Sequence, residues 1–474
     1  MLDAPDHLDA VAPLLGWFFA GCCALNVGAA WRAWRRVGAA VQLPPQHVQE
    51  IGAAVVLPQH AQDVGAVVAL PPLRRAIHST AWLLVAGGFG LLSQRAFVGD
   101  PVALPEWLKQ GINSLLSPMS VFLGSLAALA TLFLGRRFFA IPAVACGGLN
   151  VSLLFLGLSL ADANFAQNVL QPDNLPIVGM IYLLGFVLWW AAAQAVENDR
   201  RQAAGVPPTE KDFAEKTFVW PELVYIELIC AILVTTLLIV WSLGVHAPLE
   251  QPANPALTPN PSKAPWYFVG LQELLVYSDA WLAGVIVPLL IVLGLAAIPY
   301  LDRNPAGSGH YTIGRRRFAC AVFLGGFLLL WILPILVGTF FRGPNWSFYG
   351  LYEARDPQNV TAASNVRLSE WFWTVLLDRG LPQIPPDAAP LVRFGWIVWR
   401  EIPGAVLLAA YFVALPPLLG RTLLRDLRGQ MGRGRYWLTA LLLLAMLGLP
   451  LKMLLRWCFQ LSCVVSMPEY YLNI

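Results

Sequence analysis

The sequence predicts an all-α, polytopic helical membrane protein of about ten transmembrane helices with both termini outside. Three observations carry this. The 474 residues are 57% hydrophobic and only 12% charged, about half the roughly 25% charge of a soluble domain. Mean hydropathy is +0.61. The apolar residues fall in runs of about 20, the length that crosses a bilayer as a helix. Lipid leaves no partner for open backbone groups, so each run is expected to be helical. A soluble globular enzyme, a disordered chain and a nucleic-acid binder are excluded. The net charge of +3 is too small and too dispersed for a polyanionic partner.

The runs centre on Leu14–Ala30, Ile77–Leu92, Pro118–Leu134, Phe138–Leu160, Pro176–Val196, Leu223–Leu243, Trp281–Tyr300, Phe318–Phe341, Trp396–Leu419 and Trp437–Leu455. The second is short and Gly-rich, and is the weakest. With the N-terminus outside, the loops that become cytoplasmic hold 20 of the 31 Lys and Arg, including Arg136, Arg137, Arg200, Arg201 and Arg315–Arg317. Basic residues gather on that side of membrane proteins. Arg400 falls within a run.

Leu43–Pro72 carries a doublet, PQHVQEIGAAVV from Pro45 and PQHAQDVGAVVA from Pro58. Two copies do not make a solenoid, and the segment reads as an inner-face loop or surface-lying piece. Arg342–Phe394 reads as a long outer loop, whose stretch Ser369–Leu377 is aromatic enough to lie along the interface. Of the seven cysteines, most lie in apolar runs, where a thiol behaves as a small hydrophobe. No CxxC or CxxCH occurs, which argues against a zinc ribbon or a covalent c-type haem. Cys458 and Cys463 could pair if their end faces an oxidising compartment. The start, MLDAPDHLDA, has no basic region before its apolar run and is not read as a standard cleavable signal peptide.

The stretch from Ala247 to Gly284, APLEQPANPALTPNPSKAPWYFVGLQELLVYSDAWLAG, is the most informative. It is Pro-rich, then aromatic and apolar without forming a clean span. Proline fixes φ and removes donors, so the loop is stiff. Such a loop at a membrane surface can wall a pocket for a lipid-soluble ligand, or it can be a rigid connector.

Pro259–Phe268 (PNPSKAPWYF) followed by Gly270–Glu273 (GLQE) resembles the quinol-oxidation loop of cytochrome b, in the C-terminal half that forms subunit IV of photosynthetic complexes. The resemblance continues through Ile298–Pro305 and Gly338–Trp346, begins at Trp220–Leu223, and covers about residues 218–349. It implies a quinol pocket at the outer face lined by Lys263, Pro265, Trp266, Tyr267, Phe268 and Leu271. The family's Pro-Glu-Trp-Tyr is here Ala264-Pro265-Trp266-Tyr267, so the glutamate held to take a proton from quinol is missing. Glu273 is the nearest carboxylate after the motif. It either takes over that role, since an apolar setting raises a carboxyl pKa towards neutrality, or forms a structural hydrogen bond or an ion pair with Lys263. Tyr267 is expected to hydrogen-bond a quinone carbonyl or to pack at the interface.

Cytochrome b holds two haems between four helical histidines. The six here are His7, His47, His60, His78, His246 and His310. Only His78 lies in a candidate span. His47 and His60 have ligand-like spacing but are interrupted by Pro58. Haem b is therefore expected in a partner chain. The first five runs carry few polar groups, Asn150 and Ser152 excepted, and read as a packing module. Glu222 and Glu227 stand at the inner end of the sixth run, Glu227 about a turn inside. They form either a proton relay to an inner-side quinone site or a snorkelling or paired interface charge. Asp302 and Arg303 read as an inner surface anchor, and Pro468–Tyr471 as a chance likeness to the missing motif.

The expected organisation is a five-helix module at 1–200, a quinol-site domain at 201–349, and an outer loop with two further helices at 350–474. The resemblance implies a non-haem subunit of a quinol:cytochrome c oxidoreductase coupled to proton translocation. Its partners would be a haem-bearing cytochrome b N-terminal-type subunit, a Rieske-type iron–sulfur protein, a c-type cytochrome and membrane lipids, in a dimeric complex without nucleic acid. The quinol loop would face the periplasm of a bacterial cytoplasmic membrane, and no metal is assigned to this chain. Two other readings are a scaffold that keeps the fold without the site, and a transporter, which repeats and interrupted helices would favour.

Overall fold

The computed structural model describes residues 4–35, 72–212, 218–245, 252, 254–256, 259–302, 310–358, 365–470 and 472–474. The doublet with His47 and His60, together with Lys216, His246 and Arg303, lies outside them. The chain is a polytopic, all-α membrane protein. Eight of its described helices are long and apolar enough to cross a bilayer, or nine if one bent pair counts as a span.

The helices are α1 (Ala4–Arg35), α2 (Pro72–Phe97), α3 (Glu106–Leu115), α4 (Pro118–Leu134), α5 (Pro142–Leu160) and α6 (Leu175–Ala203). Then come α7 (Val219–Gly244), α8 (Trp266–Leu274), α9 (Leu282–Leu301) and α10 (Arg317–Phe341). The last three are α11 (Pro390–Arg400), α12 (Ile402–Leu419) and α13 (Arg433–Phe459). Each of the ten expected runs is found as a helix; α2, of 26 residues, stands outside the eight. α4 is bent 91° from the amphipathic α3, so the two count together. Ser117 caps the bend, exchanging hydrogen bonds with Ser120. The expected run Phe138–Leu160 is broken before Pro142.

By contacts the chain forms two compact units, one of residues 1–111 with 143–170 and the other of 112–142 with 171–474. In the first unit α1 and α2 run antiparallel. Ser93 Oγ donates to the Gly16 carbonyl at 2.8 Å, and Ser79 Oγ to that of Ala30. Phe19 and Phe89 are buried between them. Asn150 of α5, singled out by its polarity, accepts from Asn26 Nδ2 of α1 at 2.6 Å; such amide pairs hold helices together where lipid offers no partner. Lys109 is clasped by Asp162 at 2.8 Å and Glu106 at 2.7 Å.

The second unit has its core where Phe122 of α4, Leu274 of α8, Tyr277, Ala283 and Val287 of α9, Leu329 of α10 and Met453 of α13 meet. At one end Asn198, fully buried near the end of α6, donates to the Glu210 carboxylate and the Tyr311 carbonyl and accepts from Thr209. Asp199 accepts from Thr312 Oγ1 and Gly314 N. These bonds tie the loops before α7 and α10 to α6. At the other end buried Arg400, the last residue of α11, binds Glu401, Glu469 and the Ser466 carbonyl. They fix the tail, whose strands Leu461–Cys463 and Ser466–Met467 pair with Val366–Arg367 and Leu472–Asn473. Glu469, in the segment read as a chance motif, is thus a structural ion-pair partner. Cys458 and Cys463 are free thiols rather than a disulfide; one ends α13 and the other lies in the tail strand.

Candidate functional site

The Pro-rich loop delivers the chain to α8 through Pro265, whose extended backbone opens the helix. Gln272, two residues before the helix end, folds back on the loop. Its Oε1 accepts from Ala264 N and its Nε2 donates to the Ser262 carbonyl, both at 2.8 Å. α8 lies directly on α10 because two glycines allow close approach. A Cβ at Gly338 would stand 2.3 Å from Val269 Cγ1, and one at Gly270 would stand 3.0 Å from Ile335.

Glu273 is the anchor of this arrangement, at 2% exposure. Arg342, one residue beyond α10 and 6% exposed, grips it in a two-pronged bond, Nε to Oε2 at 2.8 Å and Nη2 to Oε1 at 2.6 Å. Trp346 Nε1 donates to Oε2 and Tyr277 Oη to Oε1, both at 3.2 Å. Arg342 Nη1 donates to the Trp346 carbonyl at 2.9 Å. Asn345 and Trp346 adopt φ of 57° and 55°. For a bulky Trp that left-handed conformation is costly, and here it brings the indole N–H to the carboxylate. Burial alone would lower the Arg342 pKa, but the bonds and charge of Glu273 outweigh it and hold it above the ordinary value. Burial, then the Glu273 charge, raises the Tyr277 phenol.

Lys263 is not the partner of Glu273. Its Nζ donates to the Thr339 carbonyl at 2.7 Å, and Arg355 Nη2 to that of Phe340 at 2.7 Å. The two cations cap the C-terminal carbonyls of α10, where the helix dipole favours positive charge. Burial, with the Arg355 charge, pulls Lys263 down to about 8.

The expected pocket residues divide. Trp266, Tyr267 and Phe268 form an exposed aromatic strip with successive ring centroids 5.6 Å and 4.8 Å apart. Leu271 instead packs against the core of the unit. An open groove of about 480 Å³ lies beside the clamp, lined by Asn260, Pro261, Ser262, Gln272, Leu275, Val276, Asn345 and Trp346; none of the expected quinol residues lines it. Glu222 accepts from Phe218 N at 3.3 Å. Glu227 is exposed on α7, and neither borders the groove. Sequence reasoning assigned no role to Arg342, Trp346, Gln272 and Asn345. All four sit inside quoted motifs, so the signal was present without a three-dimensional partner to interpret it.

His7 lies in α1, and His310 Nε2 is 2.7 Å from Gln202 Nε2 in a polar loop. Among the described residues no group of three or more His, Cys, Asp or Glu could hold a metal ion.

Comparison with curated proteins and with solved structures found no match for this chain. Its residues 252–339 match the family model described as cytochrome b (C-terminal)/b6/petD. The matched stretch holds the Pro-rich loop, α8, α9 and nearly all of α10, and stops just short of Arg342. This polytopic membrane chain therefore carries a segment similar to the C-terminal part of cytochrome b.

Proposed function

We propose that the chain is a non-haem membrane subunit of a cytochrome bc-type quinol:cytochrome c oxidoreductase, and that Trp266, Tyr267 and Phe268 form one wall of its quinol-oxidation pocket. The observation that carries this is the exposed aromatic strip on a short helix locked to α10 by a buried ion pair, within the segment that matches the family. Tyr267 offers a phenol to a quinone oxygen, and Trp266 and Phe268 offer flat apolar faces. Pro265 and the Gln272 bonds hold the strip rigid, so ordering it on binding costs little.

Glu273 is a positioning residue on this reading. Its two oxygens already receive four donors, so it fixes α8 rather than meeting the quinol. Lys263, next to the strip, holds the end of α10. The metal centres that take the electrons belong to partner chains: a haem-bearing subunit, an iron–sulfur protein and a c-type cytochrome, in a bacterial cytoplasmic membrane with the strip on the periplasmic side. Redox chemistry then rests with cofactors, and this chain supplies shape and orientation.

The scaffold reading is favoured by one observation: Ala264 and Pro265 stand where the family has Pro and Glu, and the next carboxylate is clamped. Quinol-dependent cytochrome c reduction by the intact complex separates the two. Trp266→Ala and Tyr267→Phe should each lower kcat/KM tenfold or more. Unchanged turnover in both leaves the scaffold.

A further inference from the structure

Lys263 and Arg355 bring two positive charges to one turn of α10. Their anchors are the carbonyls of consecutive residues, Thr339 for Lys263 Nζ and Phe340 for Arg355 Nη2, each at 2.7 Å, so the two cationic groups are held side by side. A helix C-terminus carries about half a negative charge, which leaves roughly one and a half positive charges uncompensated. An ammonium offers three donors and a guanidinium five. Each cation uses one of these in its only hydrogen bond among the described residues, so two and four remain.

The neighbouring acceptors are otherwise engaged. Glu273 is held by Arg342. Glu353 Oε2 accepts from Gly350 N at 2.6 Å and Asp356 Oδ1 from Gln358 N at 2.8 Å. Among the described residues neither Lys263 nor Arg355 makes an ion pair. The Thr339 hydroxyl, 3% exposed, could accept from either cation, yet it has no hydrogen-bond partner among the described residues. Burial and the Arg355 charge pull the Lys263 pKa down, as expected of a cation with a like charge and no anion beside it. Both side chains are only half-buried, so a ligand can reach their remaining donors.

The pair lies at headgroup depth. α10 ends at Phe341, and the exposed Trp266, Tyr267 and Phe268 begin three residues after Lys263; such aromatic residues sit where the bilayer meets water. The anion that recurs at this depth is the phosphate of lipid headgroups. We propose that Lys263 and Arg355 form a two-cation site for a phosphate oxyanion, carried by a phospholipid headgroup or free in solution. N–H groups of both side chains donate to its non-bridging oxygens, and its charge relieves their mutual repulsion. The inference rests on the end of α10 and is independent of the quinol reading.

The test uses the full-length chain, purified in an uncharged maltoside detergent and stripped of lipid. It is mixed with dioleoyl phosphatidylglycerol, with dioleoylglycerol, which lacks the phosphate, or with inorganic phosphate. Acetylation of Lys263 by a limiting N-hydroxysuccinimide ester is then followed by mass spectrometry against Lys211 as the internal reference. A phosphate-bearing probe should slow acetylation of Lys263 about fivefold or more, and dioleoylglycerol less than about twofold. Slowing by phosphatidylglycerol alone assigns the site to lipid, by inorganic phosphate alone to the free anion, and by both to either source. Arg355→Gln should reduce the slowing to less than about twofold, and Arg355→Lys should keep most of it. Unslowed acetylation with both phosphate-bearing probes, equal slowing by dioleoylglycerol, or full slowing in Arg355→Gln overturns the proposal. If that variant fails to accumulate, the acetylation of the parent chain decides.

Discussion

Replacing Glu273 by Gln removes the charge from the most buried ion pair of the second unit and leaves the Arg342 guanidinium, 6% exposed, facing a neutral amide. Losing one partner of a buried pair costs about 3–5 kcal/mol. Gln retains an oxygen for one of Trp346 and Tyr277, each such bond being worth about 1 kcal/mol. Glu273→Gln is therefore expected at the lower bound, about 3 kcal/mol, or roughly a hundredfold in the unfolding equilibrium. Glu273→Ala leaves all four donors without an acceptor and should reach about 5 kcal/mol. The measurement is reversible denaturant unfolding of the purified chain in mild detergent, followed by Trp fluorescence. Combining Glu273→Met with Arg342→Leu removes both charges at once and should recover at least half of the loss, because an apolar pair avoids the desolvation cost. A Glu273→Gln protein within 1 kcal/mol of the parent, or a double variant as unstable as the summed singles, would refute the claim that this pair holds α8 to α10.

Three further outcomes follow from the same geometry. The folded pKa of Lys263, about 8 against an ordinary 10.5, means the unfolded chain holds more protons between those values, so stability should rise with pH from about 8 to 10.5. The gain is at most about 3 kcal/mol, and Lys263→Met should abolish that slope in a pH series of melts. Gly338→Ala drives a methyl into Val269 and should cost about 1–3 kcal/mol, while raising protease sensitivity of the Pro-rich loop; a neutral result would show that α8 shifts freely. Glu469 is held below the ordinary carboxylate range chiefly by its bond to Arg400. Its contribution is complete above that range and lost as pH falls through the lowered value, so labelling of Cys463 by a thiol reagent that reacts in acid should accelerate below that range. Arg400→Met should label fast at every pH.

Residue order alone determined the membrane class, the helical spans and the stretch related to cytochrome b, because lipid enforces helices of a fixed length and Pro259–Glu273 is a local pattern. It also marked Tyr267, Glu273 and Asn150 as unusual, since polarity in an apolar setting is visible without coordinates. Tertiary structure alone decided their partners. Glu273 met Arg342, 69 positions away, rather than nearby Lys263, because the guanidinium offers two parallel donors at the end of α10 while Lys263 caps that helix. Asn150 met Asn26 across 124 positions. Such long-range pairings depend on which helix faces come together, and hydropathy along a line carries no record of that.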